Sequence, residues 1–568
     1  MQRPFRSRGW VISAIAIALG MFALAATSWR VRFGIDVQDE AFHVGLPYRF
    51  ALGDQPFVDE LNIAQTAAIL AYPFVKIYVT IVGSSTGLVL FLRALFVVLF
   101  AVTGWAAFEL ARTRLPFAPS LLIGSACVSF VPLGIPGLSY YTVSMGCFAI
   151  GAFVVARCLL ISPPAPAPTF VKDPLAWAGF AHGAAAFAYP TFAVPAVVTG
   201  LAILACGAGA RRRAFLRFGG GGLCFIAVIA PVVLAAGRHL QDVYAYSSAT
   251  IADRSIFQKP FLPVMRELLD EHTELAAAVA GIGVLIALGR RWPTITTLAL
   301  PMVPLLSCGA PLPLSGPMAS SRYLTGFALL APILALALRD RRTARTLLIA
   351  VWIPSAIAGL LTGWSSGNGS VASCLGLLPA AIVSAVFLAL WIDEAAARWR
   401  SDWPRSLLAL SAAVFPATLI HYEWLDHAVY LDDPLPDLTA RITEGPYKGL
   451  FTTPHKKAWL HEVSANIERH KTGERSLFYY RFPAGYLIAN QRPLAASVWI
   501  FPIPRRAEFD ARYFRQHATS GELVMHVVGR DYDVTTALAP AIAERCHEVQ
   551  RGAGFTMWVV NATDGPRR

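Results

Sequence analysis

The sequence predicts a polytopic α-helical membrane protein with a small α/β domain at its C-terminus. Of its 568 residues, 56% are hydrophobic and 15% are charged, whereas soluble domains carry roughly 25% charged residues. Apolar runs long enough to cross the hydrocarbon core recur along the first three quarters of the chain. Arginines cluster in the short segments between these runs, as they do in cytoplasmic loops. The net charge of +13 is therefore explained by topology, and a nucleic-acid role is excluded.

About thirteen membrane spans are predicted from the apolar runs. They cover residues 10–28, 86–110, 118–136, 138–160, 175–192, 193–209, 218–237, 274–289, 293–308, 323–338, 343–364, 372–392 and 405–420. Arg3, Arg6 and Arg8 precede the first span, which places the N-terminus in the cytoplasm by the positive-inside tendency. Alternation of the spans then puts the larger loops 30–85, 238–273 and 309–322 on the outer side.

Two parts of this layout depend on other signals. Gln65–Val82 contains Pro73 and Lys76 and would break the charge alternation as a full crossing. We therefore expect one or two helices along the outer interface there, with a spanning helix as the alternative. Gly219–Gly222 at the start of a span predicts close helix packing rather than phosphate binding.

Beyond residue 420 the composition becomes more polar. We divide the chain into a transmembrane domain, 1–420, with a catalytic outer loop at 30–85, and an extracytoplasmic α/β domain, 421–568. Strand-like runs at 476–482, 485–489, 497–501, 522–528 and 556–560 alternate with helical patterns at 455–471 and 534–549.

An acidic cluster follows the first span. Asp36, Asp39 and Glu40 come directly after it, and Asp54, Asp59 and Glu60 lie about twenty residues further along. Carboxylates beside a bilayer raise the free energy of the folded protein unless they are solvated, paired with a cation or required for function. Such groups can deprotonate an acceptor hydroxyl or hold a divalent ion on a phosphate. The alternative is a solvated acidic loop.

The loop resembles the first outer loop of the GT-C class of membrane glycosyltransferases. The resemblance is carried by Asp39-Glu40-Ala41-Phe42-His43 and by a later Gly-x-x-Pro-x-x-Asp pattern at Gly53, Pro56 and Asp59. The class includes the protein O-mannosyltransferases, the aminoarabinose transferase of lipid A and the Rgt-type transferases of lipopolysaccharide core sugars. Further similar motifs are Leu92-Arg93, Leu138-Ser139-Tyr140-Tyr141-Thr142, the segment 179–190 ending in Tyr-Pro, and Ser321-Arg322-Tyr323.

The resemblance implies a role for each matched acidic residue. Asp39 is the expected catalytic base, Glu40 a supporting acid, and Asp59 the second acidic position; Asp36 lies outside the matched pair. One departure concerns Asp59, because Glu60-Leu61-Asn62 follows it where the mannosyltransferases have His-Pro-Pro or Lys-Pro-Pro.

The implied reaction transfers a sugar from a polyprenyl-phosphate donor to a hydroxyl on a glycan, lipid or protein acceptor, with inversion. The resemblance also implies a bacterial inner membrane location. Cations are needed at the departing phosphate, and the candidates are Arg93, Lys259, Arg254 and Arg322. Arg93 can instead pair with a loop carboxylate, Arg254 and Lys259 can be solvated, and Arg322 can be an interface anchor. No cofactor is certain, and a divalent metal would use Asp39, Glu40 and His43, although His43 fits better as a polar neighbour of the site.

Two other functions stay open at the sequence level. A lipid or glycan transporter or flippase would also span the membrane many times, but such proteins often contain related halves, and no convincing repeat is present. An inactive relative would act in assembly or binding through its C-terminal domain.

Overall fold

The fold is known from a computed structural model. It describes residues 6–161, 172–206, 211–254, 318–399, 403–424, 429–479, 482–500, 504–527, 538–552 and 554–562, and the isolated positions 266, 281 and 284. Helices make up most of the described residues before 425, and a mixed sheet with helices follows.

Eight helices within these ranges are long and apolar enough to cross a membrane. They are Trp10–Arg30, Gln65–Val82, Leu88–Ala111, Tyr140–Leu160, Arg211–Ala236, Ala319–Ala337, Arg341–Ser365 and Gly369–Glu394. The polytopic helical architecture is confirmed. The predicted spans 274–289 and 293–308 lie outside the described residues, apart from positions 281 and 284.

The helices are numbered in chain order through the described residues. They are α1 (Arg6–Arg30), α2 (Asp39–Ala51), α3 (Gln65–Val82), α4 (Leu88–Ala111), α5 (Phe117–Val128), α6 (Tyr140–Leu160), α7 (Pro174–Ala188), α8 (Ala193–Cys206), α9 (Arg211–Ala236), α10 (His239–Arg254), α11 (Ala319–Ala328), α12 (Leu330–Ala337), α13 (Arg341–Leu347), α14 (Ile353–Ser365), α15 (Cys374–Trp399), α16 (Trp403–Trp424), α17 (Pro454–His470), α18 (Ala484–Ala489), α19 (Pro504–His517) and α20 (Leu538–Arg545).

Prolines end two helices before the predicted span boundaries. α5 ends at Val128, and a short 3-10 turn at Pro132–Gly134 follows, in which Leu133 has a positive φ of 55°. α7 ends at Ala188, and the chain turns at Pro190 before α8 begins. Proline removes a backbone donor and disfavours helical geometry in the residue before it. By contrast, α3 continues through Pro73 as one helix of 18 residues.

Glycines let α7 and α9 pack backbone to backbone. A Cβ on Gly221 would lie 1.9 Å from the carbonyl oxygen of Ala176, and one on Gly179 would lie 1.8 Å from that of Phe218. No side chain fits at either position. The glycine run therefore acts in close helix packing, as its place in a span predicts.

The C-terminal region contains a five-stranded mixed sheet and a two-stranded one. The strands are β1 (Ala440–Arg441), β2 (Phe451–Thr452), β3 (Arg475–Tyr479), β4 (Arg492–Pro493), β5 (Leu523–Val527), β6 (Cys546–Gly552) and β7 (Phe555–Val560). The larger sheet has the order β4-β3-β5-β7-β6. β3 is parallel to both β4 and β5, and β7 is antiparallel to β5 and β6. The predicted α/β character of this region is confirmed.

Three local predictions in this region are wrong. Residues 485–489 form helix α18 rather than a strand, and Gly485 serves there to admit the Phe478 ring, 2.2 Å from where a Cβ would lie. A helix is predicted over 534–549, but among the described residues of that range only α20 is helical. The chain enters β6 at Cys546. The described part of 497–501 joins no strand.

The C-terminal region packs directly on the segments before and after α2. The Gly34 amide donates to the carbonyl of Phe451 at 2.9 Å, and the Phe451 amide donates to that of Arg32 at 2.8 Å. On the other side of α2, the Leu61 amide donates to the Ala496 carbonyl at 2.8 Å. These contacts hold the acidic loop between the helix bundle and the sheet.

Candidate active site

Asp36 organises the N-terminus of α2. One carboxylate oxygen accepts the amides of Gln38 and Asp39 at 2.7 and 3.1 Å, and the other accepts the amide of Glu40 at 2.7 Å. Burial, and after it the charge of Asp39, raises the pKa of Asp36 to about 7, although the backbone donors favour its ionised form. Asp36 is therefore the anchor that sets the directions of the next two carboxylates.

Glu40 forms a bidentate ion pair with Arg93 of α4. The Nε–Oε1 and Nη2–Oε2 distances are 2.7 and 2.6 Å, and both side chains are almost fully buried. The guanidinium also donates to the carbonyls of residues 31, 33 and 34. These contacts correspond to the ion-pair alternative for Arg93 rather than to a cation that faces a donor phosphate. Glu40 is correspondingly buried and paired with Arg93.

Asp39 points elsewhere and meets Tyr430, which follows the helix bundle in sequence. The Tyr430 hydroxyl donates to Asp39 Oδ2, and Asp39 is half-buried. Burial and the Asp39 charge raise the pKa of Tyr430 above its ordinary value, so the phenol stays protonated and continues to donate at neutral pH. Nearly 400 residues separate the pair, and no sequence motif indicates the contact.

A small cavity lies between these groups. Its volume is about 20 Å³, enough for about one water molecule. Arg30, Asp36, Glu40, Arg93 and Tyr430 contribute to its lining. Arg30, at the end of α1, is a site residue that the sequence motifs do not indicate.

Aromatic side chains from two of the motifs that resemble the GT-C class meet beside α2. The rings of Tyr140 and Tyr189 stack with centroids 5.6 Å apart, and His43 packs edge-on against Tyr140 at 5.0 Å. Tyr140 also interacts electrostatically with Asp39. The Ser139–Thr142 capping box fixes the start of α6 and thereby the position of its first tyrosine. Tertiary packing thus brings these two motifs and the acidic cluster to one place.

His43 and the acidic pair do not form a metal site. Burial lowers the pKa of His43 to about 3, so its imidazole is neutral and able to bind a metal, and the fit is decided by the carboxylates. Both oxygens of Glu40 are occupied by Arg93. Within the described residues, no group of three His, Cys, Asp or Glu side chains is placed to hold a metal ion. The set Asp39, Glu40 and His43 therefore does not fit the divalent ion considered from the sequence.

The second acidic position differs from the pattern implied by the resemblance. Asp59 is half-exposed and accepts the amide of Gln55 at 2.7 Å, which closes a local turn. Its neighbour Glu60 is fully buried and pairs with Arg49 at 3.1 Å. Asp59 therefore stabilises its own loop, and Glu60 is the buried acid.

The remaining predicted cations have different placements. Arg322 lies in the first turn of α11, half-buried, and its Nε is buried without a hydrogen-bond partner among the described residues. Arg254 is the last residue of α10. Lys259 lies outside the described residues. Among these cations, Arg322 is thus the candidate with a buried donor that has no partner among the described residues.

No protein-family model matches the sequence, and no curated protein matches it. Among solved structures, the chain is similar to the archaeal oligosaccharyltransferase AglB from Archaeoglobus fulgidus in complex with an inhibitory peptide and a dolichol-phosphate. The TM-score is 0.50 at 12% identity, and the match covers 99% of this chain and 76% of that one. The chain has the GT-C type of fold seen in this oligosaccharyltransferase.

A second similar structure is ArnT from Cupriavidus metallidurans bound to undecaprenyl phosphate. The match covers 98% of this chain and 99% of that one, with 14% identity and a TM-score of 0.39. The similarity to AglB confirms the predicted GT-C type fold class.

Proposed function

We propose that the protein transfers a sugar from a polyprenyl-phosphate donor to an acceptor hydroxyl, with Asp39 as the general base. The observation that carries the proposal is the separation of the acidic cluster into distinct roles. Asp36 is bonded to backbone amides and Glu40 is neutralised by Arg93, so Asp39 is the half-buried carboxylate beside the tyrosine cluster. The shared fold with an oligosaccharyltransferase solved with a dolichol-phosphate supports the donor class.

The proposed reaction is a single displacement. The Asp39 carboxylate accepts the proton of the acceptor hydroxyl while the hydroxyl oxygen attacks the anomeric carbon. The bond between that carbon and the phosphate oxygen breaks, and polyprenyl phosphate leaves with the electron pair. Attack from the face opposite the leaving group inverts the anomeric configuration. The Tyr430 hydroxyl orients Asp39 through its hydrogen bond.

The departing phosphate needs positive charge close to it, because negative charge accumulates there in the transition state. Arg322 is our leading candidate, since its buried Nε has no partner among the described residues. Arg254, the last residue of α10, and Lys259, which lies outside the described residues, remain further candidates.

We place the site on the outer face of a bacterial inner membrane. Arg3, Arg6 and Arg8 before α1 favour a cytoplasmic N-terminus, and the acidic loop follows the first crossing. The domain 421–568, which packs on that loop, then lies outside as well.

Asp39→Asn tests the function. The amide keeps the size of the side chain but cannot take up the proton, so we expect sugar transfer to fall by about 10²–10⁴-fold while insertion and thermal stability are retained. The readout is the mass of envelope glycans from cells lacking the chromosomal gene and supplied with each variant. Asp437→Asn, at an exposed carboxylate, is the matched control.

The same variant separates an enzyme from a transporter or flippase. A transporter has no special requirement for a proton acceptor at Asp39 and should tolerate the amide. Wild-type glycan masses with Asp39→Asn would contradict the assignment of the base.

A further inference from the structure

A second, larger cavity lies in the C-terminal region next to the candidate active site. Its volume is about 380 Å³, within the size range of small-molecule sites. It lies between the segment that follows Tyr430 and the first turns of α17. Its lining residues are Leu431, Asp432, Asp433, Thr453, His455, Lys456 and Trp459.

Hydrogen bonds tie the wall of this cavity to the start of the acidic loop. Asp432 Oδ2 accepts the amide of Ile35 at 2.6 Å, and Lys456 Nζ donates to the Ile35 carbonyl at 2.5 Å. Ile35 precedes Asp36, the anchor of α2. The residue before the cavity, Tyr430, donates to Asp39 itself. The cavity and the proposed base thus share one short stretch of backbone.

The backbone between them is strained. Leu431 has a positive φ of 51°, which is unusual for a residue with a bulky side chain, and the residue is 47% exposed. Such conformations persist where the surrounding contacts impose them, and they concentrate at functional sites. Here the turn lets Tyr430 point to Asp39 while Asp432 and Asp433 point toward the cavity.

The charges of the cavity disfavour a phosphate. Lys456 Nζ lies 3.1 Å from Oδ1 of the buried Asp432 and is neutralised by it. Asp433 adds an exposed carboxylate. With His455 counted as neutral, one cation and two carboxylates leave the cavity with a net charge of −1. The anionic head of a lipid donor would be repelled there.

The same groups suit the hydroxyls and ring face of a neutral saccharide. Carboxylates accept hydrogen bonds from hydroxyls, and imidazole groups donate to them. Trp459 is half-buried, and its ring meets Phe482 edge to face at 5.7 Å, which fixes its orientation. The face of an indole carries partial negative charge and attracts the polarised C–H groups of a sugar ring.

We infer that this cavity is the acceptor subsite and that the acceptor is a glycan. The inference rests on the proposed function, since it assigns the acceptor class of the same reaction. Trp459 supplies the platform for the sugar, and Asp433 accepts hydrogen bonds from its hydroxyls. The shared backbone from Tyr430 to Asp433 would set the acceptor hydroxyl against Asp39.

Binding measurements on the full chain in lipid nanodiscs test the inference without requiring catalysis. The probe is an array of neutral mono- to tetrasaccharides. We expect the wild type to bind members of the array, and Trp459→Ala and Asp433→Asn to bind them at least about tenfold more weakly. The matched controls are Trp558→Ala, at another half-buried tryptophan, and Asp437→Asn, at another exposed carboxylate.

The outcomes separate this inference from the proposed function. Asp39→Asn should bind the saccharides like the wild type, because it blocks chemistry and not recognition. Equal binding by the wild type and both cavity variants, or no binding to any saccharide, overturns the acceptor subsite even if Asp39→Asn abolishes transfer. In vesicles that contain undecaprenyl phosphate, the cavity variants should retain lipid binding; its loss would assign the cavity to the donor and overturn the inference.

Discussion

The two ends of α2 carry two different charged clusters. At its N-terminus, Asp36, Asp39, Glu40 and Arg93 form what we call the site cluster. At its C-terminus, Arg49, Asp54 and Glu60 form the junction cluster. Each cluster, as defined here, combines one arginine with more than one carboxylate.

The junction cluster is closed. Arg49 lies 2.7 Å from Asp54 and 3.1 Å from Glu60, and all three side chains are at most 1% exposed. The oxygens of Glu60 also accept the amides of Asn62 and Val498 at 3.0 and 3.1 Å. In the site cluster, by contrast, Arg93 donates its hydrogen bonds to Glu40 and to backbone carbonyls. Asp39 is half-buried beside Tyr430. A fully buried cluster is suited to a structural role, whereas a cluster with a half-buried carboxylate is suited to chemistry.

The largest effect is expected from opening the junction cluster. Arg49→Met leaves Asp54 and Glu60 buried without their cation, which should lower the free energy of unfolding by about 3–5 kcal/mol. The measurement is the thermal unfolding midpoint and the yield of monodisperse protein in detergent. Arg551→Met, at an exposed arginine paired with Glu548, should change stability by less than about 0.5 kcal/mol. Wild-type stability of Arg49→Met would show that the junction is not structural.

A smaller effect, on activity and on stability, is expected in the site cluster. Tyr430→Phe removes the hydrogen bond to Asp39, and bonds to charged groups contribute about 1.5–3 kcal/mol. We therefore expect transfer to fall roughly tenfold to a hundredfold, together with a lower unfolding temperature. Tyr78→Phe, which removes a phenol bond to the Thr86 carbonyl away from the site, is the control. Equal activities of the two variants would remove Tyr430 from the proposed mechanism.

The smallest effect concerns pH. Asp510 of α19 is buried near the junction cluster, and burial, partly offset by Arg506, raises its pKa to about 7 from an ordinary 3.8. Between these values the folded protein binds more protons than the unfolded chain. Its free energy of unfolding therefore falls as pH rises through this window.

Asp510→Asn should flatten this dependence, and Asp437→Asn should not. The measurement compares unfolding midpoints at about pH 5 and about pH 8. The slope that remains in Asp510→Asn is expected to reflect Asp36, whose pKa is raised in the same direction. An unchanged slope in Asp510→Asn would show that this carboxylate does not contribute to the titration.

Apolar periodicity and composition predicted secondary structure correctly where a long apolar segment crosses the lipid bilayer. Helices such as α4 and α6 end within a few residues of the predicted spans because apolar length alone determines a crossing. The predicted secondary structure was wrong where contacts with residues distant in sequence determine the conformation. Residues 485–489 have β-like composition, but Gly485 must admit the Phe478 ring and Tyr486 bridges the Phe478 backbone.

The same division runs through the candidate site. The acidic loop, the paired tyrosines and the Tyr-Pro segment are each visible in the sequence as short motifs. The ion pair between Glu40 and Arg93 appears there only as one of two alternatives. Tyr430 and the cavity around Trp459 could not be found, because they approach α2 from almost 400 residues away.

The sequence by itself determined a multi-pass helical protein with an acidic loop after its first span and an α/β region at its end. These features follow from local hydrophobicity and residue order, which act over one or two turns of chain. Only the tertiary structure decided which carboxylate is anchored, which is paired and which faces Tyr430. That choice depends on whether a buried charge finds a partner, and its partners come from distant segments brought together by packing.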